Sequence, residues 1–166
     1  MTSVAERATT PAAGRARDAL HVTSPRFGDF DVPADRVLHF PEGLIGFPRS
    51  HRFVILDHRP GSPFKWMLSV EEPDLAFAVV NPRDLVPEYR PPVETAARAL
   101  GVDVADVALF TIVTIPSDPL AMTVNLMAPV VVDVRTRTSR QLVLEDGRYD
   151  PSYRVCAPLG VPPAES

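Results

Sequence analysis

The stretch FKWMLSVEEPDLAFAVVN (64–81) contains two runs of mainly apolar residues on either side of an acidic segment. The runs are FKWMLSV (64–70) and AFAVVN (76–81), and each has the length of an ordinary β-strand. Aromatic and β-branched residues favour strands, whereas proline beside acidic residues favours a turn. The stretch therefore predicts two neighbouring strands joined by a short loop.

Similar runs of β-branched and aromatic residues continue in both directions and are separated by turn signals about every ten residues. Together with the first pair they predict eight or nine strands. The further candidates are RFGDFDV (26–32), RVLHF (36–40), RFVILD (52–57), VALFTIVTI (107–115), MTVNL (122–126), PVVVDV (129–134) and RQLVLE (140–145).

The segment VETAARALGV (93–102) is the one stretch with helical periodicity. It follows a proline pair, has apolar residues at i, i+3, i+4 and i+7, and reaches a stop signal at Gly101. The sequence thus predicts a mostly β fold: a small antiparallel β-barrel-like domain with one short helix at about 93–101.

The length of 166 residues, with 45% hydrophobic and 23% charged residues, is typical of one globular domain. Residues 1–22 are rich in Ala, Thr and Arg and are predicted to form a disordered tail. The barrel-like domain is predicted over residues 23–156, followed by a flexible end over residues 157–166.

The formal net charge of −4 indicates a mildly acidic protein. Nucleic-acid binding needs clustered cations, so the balance argues against direct nucleic-acid binding and favours basic protein partners. The single cysteine, Cys156, suits a reducing compartment, and no apolar run is long enough to cross a membrane. A cytoplasmic protein is expected.

The stretch FPEGLIGFP (40–48) invites two interpretations, a ligand-holding loop or a corner of the chain. The GLIG tetrapeptide resembles the GxxG loop that clamps nucleic acid, but it lacks basic residues. The corner interpretation is favoured, with glycines supplying positive φ and with Leu44, Ile45 and Phe47 packing inward.

Catalytic and metal-binding patterns are absent from the sequence. The four histidines match no usual ligand spacing, and no nucleophile elbow, phosphate loop or dinucleotide fingerprint is present. No catalytic, cofactor or metal residues are predicted. An alternative from another class is an enzyme or small-molecule binder that uses a barrel mouth, with His39, His51, Ser69 or Asn125 as its polar groups.

Two features are candidates for contact with a protein partner. Glu71, Glu72 and Asp74 lie in the loop EEPDLAF (71–77), where they either form a solvated connection or dock a basic partner. Asn125 interrupts an apolar run, so its amide either ties down a loop or faces a ligand.

Several segments together, in order and spacing, resemble the FliW family of bacterial flagellar assembly factors over roughly residues 24–155. Two positions depart from the family pattern: Ile45 stands where proline is common, and Met67-Leu68 where Leu-Gln is common. The matching stretches are FPEGLIGFP (40–48), RFVIL (52–56), PFKWMLSVEEPDLAFAVVNP (63–82), PEY (87–89), VALFTIVTI (107–115), TVNLMAPVVVDV (123–134) and RQLVLED (140–146).

The resemblance implies a non-enzymatic protein that binds flagellin before its secretion and antagonises the translational regulator CsrA, coupling flagellin synthesis to export. No cofactor is implied. For structure, the expected corner and core residues are Gly43, Gly46, Phe47, Phe53, Phe77 and Pro82. For partner contact, the expected residues are Glu71, Glu72 and Asp74, followed by Tyr89, Asn125 and Leu126.

Overall fold

Antiparallel strands dominate the computed structural model, which describes residues 19–145 and 147–155. The strands are β1 (Ala19–Ser24), β2 (Gly28–Pro33), β3 (Leu38–His39), β4 (Arg52–Asp57), β5 (Phe64–Ser69), β6 (Ala76–Val80), β7 (Val107–Thr114), β8 (Thr123–Val124), β9 (Val130–Asp133), β10 (Ser139–Gln141) and β11 (Tyr153–Arg154). The helices are α1 (Pro82–Leu85) and α2 (Val93–Leu100), with 3-10 turns at Ala34–Arg36, Val104–Asp106 and Pro119–Ala121.

The opening stretch, 64–81, forms β5 and β6, which pair antiparallel from Phe64 opposite Val80 to Leu68 opposite Ala76. The prediction of a mostly β, antiparallel fold is confirmed. Strand β4 has the predicted bounds, because its apolar run is bordered by turn residues on both sides.

Both ends of the described chain contain strands that the sequence did not reveal. Strand β1 begins at Ala19, so residues 19–22, which were assigned to the disordered tail, are strand. The run 26–32 was also placed too early, because its first residues form the turn and β2 begins at Gly28. Residues 1–18 and 156–166 lie outside the described residues, and with them most of the predicted tail, the predicted C-terminal end and Cys156.

The main sheet has the strand order β10-β9-β7-β6-β5-β4-β3, and β8 pairs with both β7 and β11. Its two end strands approach each other through one parallel bridge between His39 and Thr138, where the His39 N–H donates to the carbonyl of Arg137 at 2.9 Å. The sheet is therefore barrel-like, with a seam between β3 and β10, and this seam is not a continuous ladder.

The central strands are buried on both faces. Successive side chains point to opposite sides of the sheet, and a hydrophobic core covers each side. On one side of the sheet, Phe53, Met67 and Val79 belong to the core inside the barrel. The opposite face belongs to a second core, which includes Val22 and Val32 from the β1–β2 hairpin. The expected core residue Phe53 is fully buried, and Phe77 packs against it.

The predicted helix is confirmed as α2. Its Ala96 and Ala97 are buried, and it ends at Gly101, whose φ of 73° is left-handed and so suits glycine. The single-turn α1 was not predicted. It begins after Asn81, whose side chain accepts a 3.0 Å hydrogen bond from the N–H of Arg83, and the expected corner residue Pro82 occupies its first turn.

Candidate functional site

The acidic loop between β5 and β6 is fastened to the start of β4 by Glu71. The Glu71 carboxylate accepts hydrogen bonds from the N–H groups of His51 at 3.1 Å and Arg52 at 3.0 Å. The Arg52 Nε donates a further bond to it at 2.7 Å. Partial burial works to raise the pKa of Glu71, but these bonds to Arg52 and His51 outweigh it and hold the pKa below its usual value.

Glu72 is held by a second set of contacts beneath the same loop. Its carboxylate accepts a hydrogen bond from the hydroxyl of Ser50, and its N–H donates to Ser69 Oγ at 3.0 Å. The buried Ser50 and Ser69 hydroxyls are 3.0 Å apart. Because the only hydroxyl proton of Ser50 is directed at Glu72, Ser69 must donate to Ser50. The hydroxyls of Ser50 and Ser69 thus hold Glu72, and with it the loop, through linked hydrogen bonds.

Asp74 is the remaining acid of the predicted contact set. It is exposed, and its side chain makes no hydrogen bond or ion pair with any residue in the described part of the chain. The two pinned glutamates therefore fix the loop, and Asp74 projects from a rigid base. Its role in partner contact stays a prediction.

Tyr89 and Leu126, which the sequence suggests as partner contacts, are buried inside the fold. Their side chains are 1% and 2% exposed, respectively, and both belong to the core that is closed by the β1–β2 hairpin. The Tyr89 hydroxyl donates to the carbonyl of Leu126 at 2.7 Å. The segment PEY (87–89) looks like an exposed loop in sequence, but its tyrosine is an internal anchor.

Asn125 fulfils the first of its two alternatives and ties down a loop. Its side-chain carbonyl accepts hydrogen bonds from the N–H groups of Met127 at 3.1 Å and Ala128 at 3.0 Å. The residue is half-buried, so these bonds satisfy a polar group that the apolar run would otherwise leave without partners.

The stretch FPEGLIGFP closes one end of the seam. Glu42 approaches Arg140 at 3.2 Å, and the Ile45 N–H donates to the side-chain carbonyl of Gln141 at 3.1 Å. Leu44 is buried and Phe47 half-buried, but Ile45 is 55% exposed, so the expectation that it packs inward is wrong. The tight turn between Leu44 and Phe47, which bond each other in both directions, directs Ile45 outward.

The polar groups of the alternative, enzymatic interpretation are bonded elsewhere or exposed, and none of them lines the groove described below. His51 Nδ1 contacts the carbonyl of Phe40 at 2.9 Å, Ser69 is committed to Ser50 and Glu72, and His39 is exposed. Within residues 19–145 and 147–155 no group of three or more His, Cys, Asp or Glu side chains is arranged to hold a metal ion. No helix among these residues is long and apolar enough to cross a membrane.

The fold and its pinned surface loop define a class: a small antiparallel, barrel-like domain that presents loops around a filled core. Comparison with known proteins then gives the family, because a model of the FliW protein family matches residues 21–155. The chain belongs to the FliW family.

Relatives named flagellar assembly factor FliW are similar along most of their length. The protein from Bdellovibrio bacteriovorus is 42% identical over 127 residues, covering 75% of this chain and 73% of that protein. The protein from Heliobacterium modesticaldum is 35% identical and covers 82% of this chain and 90% of that protein. A crystal structure of the flagellar assembly factor FliW superimposes with a TM-score of 0.73 at 28% identity, covering 81% of this chain and 96% of that chain.

Proposed function

We propose that this protein is a cytoplasmic, non-enzymatic flagellar assembly factor that binds flagellin and antagonises CsrA. The observation that carries the proposal is the family match over residues 21–155, which spans nearly the whole described fold. In this function, flagellin that accumulates before export occupies the factor and frees CsrA, which then represses flagellin synthesis. Export of flagellin reverses the switch.

The rigid acidic loop between β5 and β6 supports a protein-binding role. Glu71 is held by bonds to the start of β4 and Glu72 by bonds to Ser50 and Ser69, so Asp74 is presented without further ordering of the loop. A preorganised contact loses less conformational entropy on binding than a flexible one. A regulator that binds RNA carries a basic surface, and an acidic antagonist is attracted to it electrostatically.

The experiment that tests the proposal mixes the purified protein with flagellin and with CsrA, separately and together. Isothermal titration calorimetry is expected to show a one-to-one complex with each partner. Addition of flagellin to the CsrA complex is expected to weaken or displace CsrA. Failure to bind either partner at micromolar concentrations would contradict the proposal.

RNA supplies the control for the same experiment. We expect no salt-dependent binding of RNA by this protein alone, because its charge is −4 and nucleic-acid affinity derives largely from cations that neutralise phosphates. Binding of RNA that weakens steeply with salt would indicate a direct nucleic-acid function instead.

A further inference from the structure

A groove of about 240 Å³ opens at the end of the barrel where β4 finishes and β5 begins. It lies between the β1–β2 hairpin and the first half of β7, and it contains none of the residues predicted from the sequence to contact a partner. Its lining residues are Phe30, Val32, Arg36, Leu38, Ile55, Leu56, Asp57, Lys65, Ala108, Phe110, Val132, Val134 and Arg137.

The floor of the groove is apolar and incompletely covered. Ile55, Ala108 and Phe110 pack against the core inside the barrel but are only half-buried, and Val134 at the margin is 41% exposed. These side chains leave apolar surface at the floor of the groove accessible to another molecule. The volume is smaller than the roughly 300 to 1,000 Å³ of pockets for drug-sized ligands, so the groove suits one or two side chains of a protein partner.

The rim of the groove is cationic, although the protein as a whole is acidic. Asp57 is its one carboxylate, and it pairs with Lys65 Nζ at 2.6 Å. Arg36 and Arg137 add two further positive charges. Arg36 is exposed, and its side chain has no hydrogen bond or ion pair with any residue in the described ranges.

Arg137 is held at the rim by an unusual backbone conformation. Its φ of 66° places it in the left-handed region, which is unfavourable for a residue other than glycine. Its carbonyl accepts the His39 N–H across the seam, and its Nε donates to the carbonyl of Asp35 at 3.2 Å. Strained residues of this kind concentrate at ligand-binding sites. A glycine would satisfy the same backbone bonds, but it would leave the groove without this guanidinium.

We propose that this groove binds a segment of a protein partner that inserts one or two apolar side chains and places a carboxylate against Arg36 and Arg137. The two cations supply the charge complementarity that selects an acidic segment over a basic one. The chain's own residues 1–18 carry three arginines and two acids, so their net positive charge makes them poorly suited to the site. The groove is separate from the acidic loop, and the inference does not depend on flagellin or CsrA being the partners.

The test uses the full chain with labelled methyl groups and two synthetic peptides, followed by NMR. One peptide alternates leucine pairs with glutamates, and the other has lysine in place of each glutamate. The acidic peptide is expected to shift the methyl signals of Ile55, Ala108 and Val134 saturably, and the basic peptide to leave them unchanged.

Two variants connect that binding to the rim. Arg36→Glu is expected to weaken binding of the acidic peptide about tenfold. Arg135→Glu is the control and keeps full affinity, because this exposed arginine of the neighbouring turn lies outside the groove lining, where it pairs with Asp106 at 3.7 Å. Arg137→Gly is expected to weaken binding while thermal stability stays equal or rises.

Four results would each overturn the proposal. They are equal binding of both peptides, no shift of the groove methyls with either peptide, full affinity in Arg36→Glu, and shifts that follow protein concentration alone, which would indicate self-association at the groove.

Discussion

The hydroxyl of Tyr89 donates a 2.7 Å hydrogen bond to the carbonyl oxygen of Leu126, which is 37 residues further along the chain. Both residues are buried, and the Tyr89 ring also meets the ring of Tyr149 edge-on at 4.8 Å between centroids. The bond joins the segment after α1 to the segment after β8. Tyr89, which the sequence suggests as a partner contact, therefore joins two segments inside the fold through a hydrogen bond.

Tyr89→Phe is expected to lower the free energy of unfolding by about 1–2 kcal/mol, because it leaves the buried Leu126 carbonyl without its donor. Urea denaturation measures this loss. Tyr149→Phe is the matched control, since its hydroxyl bond to the Arg90 carbonyl is at an exposed position, and we expect it to cost less. Equal losses in the two variants would contradict the importance of burial.

Tyr89 also predicts how stability changes at alkaline pH. Burial, and then the neighbouring Tyr149, raises the pKa of Tyr89 well above its ordinary value. As the pH rises past about 10, the unfolded chain therefore loses this proton first. The contribution of neutral Tyr89 is complete below about pH 10 and declines as the pH approaches the folded-state pKa. Stability should consequently fall less steeply above about pH 10 in Tyr89→Phe than in the parent protein, and parallel curves would refute this.

Gly43 and Gly46 form a matched pair within the corner at the seam. Both have positive φ, 72° and 87°, so alanine at either should cost about 1–2 kcal/mol from backbone conformation. A Cβ on Gly43 would also lie 2.7–2.9 Å from backbone atoms of Pro48, whereas a Cβ on Gly46 has open space. Thermal unfolding should therefore show Gly43→Ala to be the more destabilised variant. A larger loss in Gly46→Ala would contradict the packing at Pro48.

Gly46→Val is expected to lower stability before it affects partner binding, because Gly46 supplies a turn. Calorimetry with flagellin and CsrA at a temperature well below unfolding should show unchanged affinities. If a stable variant lost both partners, the corner itself would be an interface.

Glu71 predicts an acid-dependent contribution to stability. Its folded-state pKa is held low despite partial burial, so its contribution is present above the unfolded-state pKa of about 4.3 and is lost as the pH falls through the folded-state value. Glu71→Gln should be less stable than the parent at neutral pH, and the difference should narrow at about pH 3. Asp74→Asn, on an acid without a partner in the described residues, is the control and should match the parent in stability at neutral pH. A Glu71→Gln deficit that does not change with pH would contradict this account.

Asp74→Lys tests the acidic loop as a partner contact. The substitution should leave stability unchanged, because Asp74 is exposed and its side chain makes no hydrogen bond or ion pair with the described residues. It should lower the affinity for a basic partner about tenfold, because electrostatic attraction is replaced with repulsion. Asp103→Lys, an exposed acid remote in sequence, is the control. Equal affinities for CsrA in both variants would remove this loop from the interface.

Much of the fold was predictable because its signals are local. The apolar runs at 52–57 and 64–81 indicated β4, β5 and β6, and Gly101 marked the end of α2. The two-residue strands β3 and β8 lie within the predicted runs 36–40 and 122–126, whereas β11 was not predicted, because two residues are too few for a periodic pattern. The pairing across the seam depends on residues about 100 positions apart, which no short-range pattern contains.

The candidate site was predictable only in part. The acidic loop was found because charge and turn residues are visible in one stretch, yet its pinning by Ser50 and Arg52 depends on the pairing of β4 with β5. The groove had no signal at all in the sequence. Its lining comes from many separate segments, and each of its apolar residues resembles an ordinary strand residue.

The sequence by itself determined the class of fold, the positions of the long strands and the helix, and the family resemblance, because alternating hydrophobicity, turn chemistry and collinear motifs are local properties of the chain. Only the tertiary structure decided which side chains are accessible. It buried Tyr89 and Leu126, turned Ile45 outward, and assembled a cationic rim on an acidic protein. The exposure of a side chain and the clustering of charges depend on how distant segments pack. That packing forms only when the sheet curves and its edge strands β3 and β10 approach each other.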